Sequence, residues 1–298
     1  MTPTPPAAQV FSGTRDGLVR RLAGADLLVC GIVNVTPDSF YDGGRFDGPM
    51  QAVDYARSLV AEGADMLDIG GESTRPGSRP PSVAEEIDRV IPVVEALAGT
   101  SSVPISVDTS RPEVMREAVA AGAVMINDVR ALQRPGALEA AAGLQVPVCL
   151  MHMQGEPETM QTAPSYYNVV GQVHRFLRAR IEVCRSAGIA AEHIVIDPGF
   201  GFGKTLTHNL SLLVALRSFA DLGYPVMAGL SRKSMLGVIT DRDVADRLPA
   251  SVAAAVIAAQ QGASILRVHD VAATVDAVAV MRLVNATRAA APKYPQLM

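Results

Sequence analysis

The sequence predicts an α/β protein folded as a single (β/α)8 TIM barrel, with its active site at the C-terminal ends of the strands. Three observations carry this. The chain has 298 residues, enough for one large barrel. Eight short runs rich in Val, Ile and Leu alternate with helical patterns. No two-residue Asn-Gly turn joins consecutive runs as a hairpin would need. A doubly wound open sheet is the competing arrangement, but it usually carries GxGxxG after its first strand, where this chain reads NVTPDSF.

Residues 1–26 read as a proline-rich tail and short covering segment, 27–290 as the barrel, and 291–298 as a second tail. The first strand spans 27–35, a continuous apolar run suited to a strand buried on both faces. Its helix has Pro49 in the first turn, Val53, Ala56 and Val60 at helical spacing, and Gly63 as stop. Strand two is 66–71. Ser82 and Glu85 form a capping box for a helix that Pro92 should bend. Strand three is 104–110, with a helix opening at Pro112 and stopping at Gly122. Strands four (125–130) and five (147–153) flank an alanine-rich helix that opens near Gly136. A long helix over 169–187 precedes strand six, 194–197. A helix over 209–222 leads to strand seven, 225–231, and one over 251–261 leads to strand eight, 264–269.

Composition narrows the function class. Hydrophobic residues make up 49% and charged residues 19%, with mean hydropathy +0.23, which describes a core-rich enzyme. A net charge of -4 argues against polyanion partners, so any anion-binding cations must sit locally in one cleft. Cys30, Cys149 and Cys184 are odd in number and widely spaced, so neither a disulfide framework nor a zinc ribbon is indicated. With no cationic-then-apolar leader and no membrane-length run, the expectation is a soluble cytoplasmic protein.

Every strand ends polar: Asn34; Asp68, Glu72, Thr74 and Arg75; Asp108; Asn127 and Asp128; His152; Asp197; Ser231, Arg232 and Lys233; Arg267, His269 and Asp270. In a barrel these ends share one rim, where catalytic groups sit. Asp108, Asn127 and Asp197 suit a flat heterocycle carrying ring N–H and amino groups. Asn34, Arg75, Arg267 and His269 suit a metal-bound pyrophosphate or another anion. Residues 36–44 and 72–77 form long, Gly- and Pro-punctuated loops of the kind that act as lids. The stretch IVIDPGFGFGKT invites a phosphate-loop reading, but GxxxxGK[ST] needs Gly where this chain has Pro198.

NVTPDSF, GGESTRPG, SVDTS, IND, LMHMQG, DPGFGFGK, SRKSMLG and RVHDV, in this order over about residues 27–285, resemble the dihydropteroate synthases of bacterial folate synthesis. The resemblance implies condensation of a dihydropterin methyl pyrophosphate with p-aminobenzoate. It places Asp108, Asn127, Asp197, Lys233 and Arg267 on the pterin. It places Asn34 on Mg2+, and Asn34, Arg75, Arg267 and His269 around the pyrophosphate. Thr74, Arg75, Pro76, Phe202, Ser231 and Lys233 would build the p-aminobenzoate pocket, where sulfonamides compete.

An arylamine needs no activating base, so the chemistry implied is a dissociative displacement. Asp38, Lys233, Arg267 and His269 are then the catalytic candidates, with Asp38 facing the cation. Tyr41 departs from the small residue the family usually has there. Glu72, Lys204 and Asp270 carry no assigned role. The family also implies a homodimer, in agreement with the apolar second face of the last helix, 271–290. A pterin-binding methyltransferase barrel and a non-catalytic pterin-binding paralogue are the alternatives.

Overall fold

A computed structural model describes residues 13–24, 26–36, 48–73, 79–157 and 159–290. The described chain opens with α1 (Arg15–Ala23) and then alternates strand and helix: β1 (Leu28–Asn34), α2 (Gly48–Ala61), β2 (Met66–Gly70) and α3 (Val83–Ala98). Next come β3 (Ile105–Asp108), α4 (Pro112–Ala120), β4 (Met125–Asp128), α5 (Ala137–Leu144), β5 (Val148–Met151) and α6 (Val169–Ser186). The second half runs β6 (Ile194–Asp197), α7 (Leu206–Val214), α8 (Leu216–Ala220), β7 (Met227–Ala228), α9 (Ser234–Thr240), α10 (Leu248–Gln260), β8 (Ile265–Val268) and α11 (Val271–Ala290).

All eight strands are parallel, in the order β6-β5-β4-β3-β2-β1-β8-β7. The last gap closes through a single parallel bridge, Ile196 to Val226, supported by the Ile196 N–H donating to the Pro225 carbonyl at 3.0 Å. The result is the (β/α)8 barrel that the eight alternating units predict.

Side chains alternate across each strand, so one set faces the helices and the other the barrel axis. Val29, Leu67, Val107, Ile126, Val148, Ile194 and Leu266 belong to the outer core, packed with the helices. Leu28, Cys30, Met66, Met125, Cys149, Val195, Met227 and Ile265 form a separate inner cluster. Helix α1 adds Leu18 and Leu22 to that inner cluster and so plugs the N-terminal mouth of the barrel. Its start is capped by the Thr14 side chain, which accepts from the Gly17 N–H.

Several boundaries differ from the sequence expectation. Strand seven is two residues, not seven, because Pro225 has no N–H for the ladder and Gly229 weakens the strand interior. The helix expected over 209–222 begins earlier, where Thr205 and His208 form a capping box. It then divides into α7 and α8 at Ala215, whose carbonyl accepts both the backbone N–H and the hydroxyl of Ser218. Helix α10 starts at Leu248, ahead of the expected Ser251, with Pro249 in its first turn. Helix α3 continues through Pro92 as one element and keeps the predicted Ser82/Glu85 box.

Candidate active site

The two-residue period that fills the inner cluster also builds the rim. Two positions beyond Met66 stands Asp68; beyond Met125, Asn127; beyond Val195, Asp197; beyond Ile265, Arg267 and then His269. Asp108 lies beside Asn127 and Gly70 in the ladder register. One step along the barrel axis therefore changes the lining from apolar to charged.

At the centre, the Arg267 guanidinium bridges two carboxylates. Its Nε donates to Asp68 Oδ2 at 2.6 Å, and a terminal nitrogen donates to Asp108 Oδ2 at 2.9 Å. The Asn127 amide donates to the same Asp68 oxygen at 2.9 Å, which leaves its carbonyl oxygen as the free acceptor. Asp68 is fully buried, and its Oδ1 has no hydrogen-bond partner among the described residues. Burial pushes the Asp108 carboxyl up to about 7, against the pull of Arg267 and with Asp68 adding to the rise. Burial opposes the Arg267 charge, but Asp68 and Asp108 outweigh it and hold the guanidinium above its ordinary value. One cation shared by the buried Asp68 and the partly buried Asp108 leaves acceptor capacity for a ligand bearing N–H groups.

Asp197 completes this wall. Its Oδ1 accepts the Gly199 N–H at 2.7 Å, and burial raises its carboxyl to about 6 against that bond and the nearby Lys233. The turn that follows has Gly199, Gly201 and Gly203 at φ of 71°, 82° and 61°. A Cβ at Gly199 would run into the His152 carbonyl oxygen, and one at Gly203 into that of Gln154, so only glycine fits against β5. The turn carries Phe202 to a place where the Lys233 ammonium lies 4.1 Å from its ring centroid, a cation–π contact. Burial, with Arg267 adding, lowers the Lys233 ammonium to about 8.

His269 and Ser231 meet on the other side of the rim. The Ser231 hydroxyl accepts the His269 backbone N–H at 3.2 Å and lies 3.0 Å from the ring Nδ1. Burial, then Arg267, lowers the imidazole to about 4, so the ring is neutral at pH 7. A Ser231 hydroxyl that accepts the backbone N–H can give its own proton to Nδ1, an arrangement that would put the ring proton on Nε2 and make His269 an uncharged donor. Asn34, at the end of β1 and partly exposed, offers an amide oxygen to the same rim.

Other polar strand ends serve the fold. The Asp128 carboxylate accepts from Ser110 and from the Arg130 and Leu132 N–H groups at 2.8 and 2.7 Å, holding a turn in which Ala131 and Leu132 are left-handed. Glu72 pairs with Arg111 at 3.6 Å and Arg130 at 3.7 Å, and Asp270 pairs with Arg232. Both carboxylates without an assigned role thus anchor loop bases. Asp38, Tyr41, Thr74, Arg75 and Pro76 lie outside the described residues. Asp68 is legible in the sequence as a rim carboxylate, but not as the partner that holds Arg267 and Asn127. Its signal was the strand period, which sets Asp68 on the same inward face as Met66.

This geometry, carboxylates and an amide beside neutral and cationic hydrogen-bond donors at the C-terminal mouth of a barrel, is that of a barrel enzyme for a small polar substrate. The family model described as "Pterin binding enzyme" matches residues 30–269. The dihydropteroate synthase of Escherichia coli strain K12 is 55% identical over 262 residues, covering 88% of this chain and 92% of that one. Among solved structures, Xanthomonas albilineans dihydropteroate synthase with 4-aminobenzoic acid is 56% identical with a TM-score of 0.84, covering 88% and 94% of the two chains. The same enzyme in complex with 7,8-dihydropteroate is 53% identical, with a TM-score of 0.81 over the same shares. The chain belongs to the pterin-binding enzymes and, within them, to the dihydropteroate synthases, which are transferases.

Proposed function

We propose that this chain joins 6-hydroxymethyl-7,8-dihydropterin pyrophosphate to p-aminobenzoate, giving 7,8-dihydropteroate and pyrophosphate, with the described rim residues in the following roles. The observation that carries the reading is the Asp68–Arg267–Asp108 bridge with Asn127 and Asp197 alongside. Asp108 and Asp197 accept from the amino and ring N–H groups of the pterin, and Asn127 offers its amide oxygen. Asp68 keeps both Arg267 and Asn127 oriented. Arg267 lies against the heterocycle and, with the Nε2–H of His269, holds the pyrophosphate.

The reaction breaks the bond between the exocyclic carbon and the pyrophosphate oxygen and forms a bond from that carbon to the arylamine nitrogen, which then loses a proton. The amine is neutral at pH 7 and needs no base, so the barrier lies in departure of the pyrophosphate. The electron-rich dihydropterin ring supports the positive charge left on the carbon. Phe202, Ser231 and Lys233 border the arylamine position. Asp38 as partner of the cation, Arg75 on the pyrophosphate, and Thr74, Arg75 and Pro76 in the arylamine pocket complete the set implied by the family motifs. Sulfonamides, which share the arylamine shape, compete at that pocket.

Magnesium fits this arrangement as an ion carried by the pyrophosphate. Among the described residues no group of three or more His, Cys, Asp or Glu forms a metal cage, and a magnesium held mainly by phosphate oxygens and water needs only one protein oxygen, here that of Asn34. Held there, the ion would supply positive charge to the leaving pyrophosphate.

Two wider readings accompany the chemistry. Val280, Leu283 and Val284 are exposed on α11, an apolar face that supports a homodimer. Three free, buried cysteines support a reducing cytoplasm, and no helix among the described residues is long and apolar enough to cross a membrane.

The test is pyrophosphate release on mixing the enzyme, the dihydropterin pyrophosphate, p-aminobenzoate and magnesium. Release that requires p-aminobenzoate is expected. Pterin binding without release favours a binding protein, and methyl transfer to a corrinoid favours the methyltransferase alternative.

A further inference from the structure

Lys204 has no place in the chemistry above, yet it is 3% exposed and lies under the glycine-rich turn that follows β6. A buried ammonium is costly unless its protons are satisfied. Here they are: Nζ is 2.8 Å from the Gly199 carbonyl oxygen, 3.0 Å from that of Phe202, 3.2 Å from that of His152 and 3.0 Å from His152 Nδ1. Three protons thus meet four acceptors drawn from two separate segments, the end of β5 and the turn after β6. His152 is equipped for this. Burial, with Lys204 adding, lowers its imidazole to about 3, so the ring is neutral; facing an ammonium, which can only donate, Nδ1 takes the acceptor role, and the ring is wedged edge-on against Phe176 at 4.9 Å.

The rest of the turn is tied just as fully. Asn209 accepts the Gly201 N–H at 2.7 Å and donates to the Thr205 carbonyl at 2.8 Å, while the Tyr166 hydroxyl donates to the Gly203 carbonyl at 2.9 Å. The apex of this arch touches the site: Phe202 stacks with Lys233, and a Cβ on Gly201 would lie 3.1 Å from the Lys233 Cδ. Burial, with Lys233 adding, pushes the Lys204 ammonium down to about 7 against the favourable field of Asp197, so each hydrogen bond that Nζ makes offsets part of the cost of its burial.

We propose that Lys204 is a positioning residue of the arylamine pocket: its ammonium pins the Gly199 and Phe202 carbonyls to the end of β5 and thereby fixes the Phe202 ring against Lys233. The proposal rests on the reading of Phe202 as a wall of that pocket. Lys204 touches no substrate; it acts through Phe202. The apolar Lys204→Met removes all four contacts, whereas the neutral Lys204→Gln retains two N–H donors on a shorter arm.

The experiment measures KM for each substrate and kcat for the wild type, Lys204→Met, Lys204→Gln, Phe202→Ala and the Phe202→Ala/Lys204→Met double variant. Misplacing a wall without touching the pterin side is expected to raise KM for p-aminobenzoate about tenfold or more in Lys204→Met, and less in Lys204→Gln. KM for the pterin substrate should move less than about threefold. Because Lys204 works through Phe202, the double variant should be no worse than Phe202→Ala alone. If Phe202→Ala raises KM for p-aminobenzoate but the two Lys204 variants leave it flat, lose activity equally toward both substrates, or add their full effect to Phe202→Ala, the role of Lys204 is overturned. A flat Phe202→Ala instead overturns the reading of Phe202 itself, and the role built on it falls with that reading. Should Lys204→Met fail to fold, Lys204→Gln alone decides between these outcomes.

Discussion

The two ends of the barrel interior share the same strands and the same inward face, yet they differ completely in chemistry. Toward the N-terminal mouth, Met66, Met125, Cys149, Val195, Met227 and Ile265 pack with Leu18 and Leu22 of α1 into a dry plug. Two residues further along the strands stand Asp68, Asn127, Asp197 and Arg267. The lower layer satisfies itself by contact. The upper layer satisfies itself only in part: Asp68 Oδ1 has no hydrogen-bond partner among the described residues, and burial raises the carboxyls of both Asp108 and Asp197. The difference teaches where this fold stores stability and where it gives stability up for a ligand.

The charged layer is most vulnerable at Arg267. Its replacement by Met would leave Asp68 and Asp108 without their shared cation and remove the one rim guanidinium that faces both the heterocycle and the leaving pyrophosphate among the described residues. Turnover should fall by about 10³-fold, the scale of a lost transition-state cation. The same variant should melt below the wild type at pH 8 and recover part of the difference as the pH is lowered, because protonating Asp108, whose carboxyl burial already raises, removes its repulsion with Asp68. Steady-state kinetics and a melting series across pH check both parts.

A change in the lower layer should do the opposite. Met125→Ala opens a cavity in the plug and should lower stability by about 2–5 kcal/mol in denaturant titration. Activity per folded molecule should stay within about twofold of the wild type, since no rim residue loses a partner. A large loss of kcat at full folding would show that the two layers are coupled more tightly than their packing implies.

How much of this was legible in the sequence follows from the same period. The strand runs and their helices define the barrel because doubly buried strands read as continuous apolar stretches. Their polar last residues mark the rim, and the side-chain types at Asp108, Asn127, Asp197, Arg267 and His269 point to a heterocycle beside an anion. What the sequence does not disclose is who holds whom. The Arg267–Asp68 bond joins residues at opposite ends of the chain, and nothing local marks Asp68 as the counter-charge while Asp128 two strands away merely closes a turn. Lys204 is the sharpest case. In sequence it mimics a phosphate-loop lysine; in space its long side chain turns back beneath its own loop and reaches β5, a tertiary contact that no spacing rule encodes. The shortness of β7 is encoded in Pro225 and Gly229, whose effect on the ladder outweighs the apolar run around them.

Asp197→Asn tests the contrast between the layers most directly. The Asp197 carboxyl titrates at about 6 in the folded protein, raised from an ordinary value of 3.8. Its contribution to stability is therefore full below pH 3.8 and is lost as the pH rises through about 6, so the ionised, buried group opposes folding at pH 8. An amide keeps the acceptor for the Gly199 N–H and removes that opposition, worth on the order of 1–3 kcal/mol. Melting temperatures at pH 8, with and without a dihydropterin ligand, decide the matter. The variant should melt above the wild type when ligand-free, lose that advantage near pH 4, and show no shift on adding the pterin. A variant that melts lower at pH 8 and still gains stability from the pterin would contradict the account, because Asp197 would then serve the fold and not the ligand.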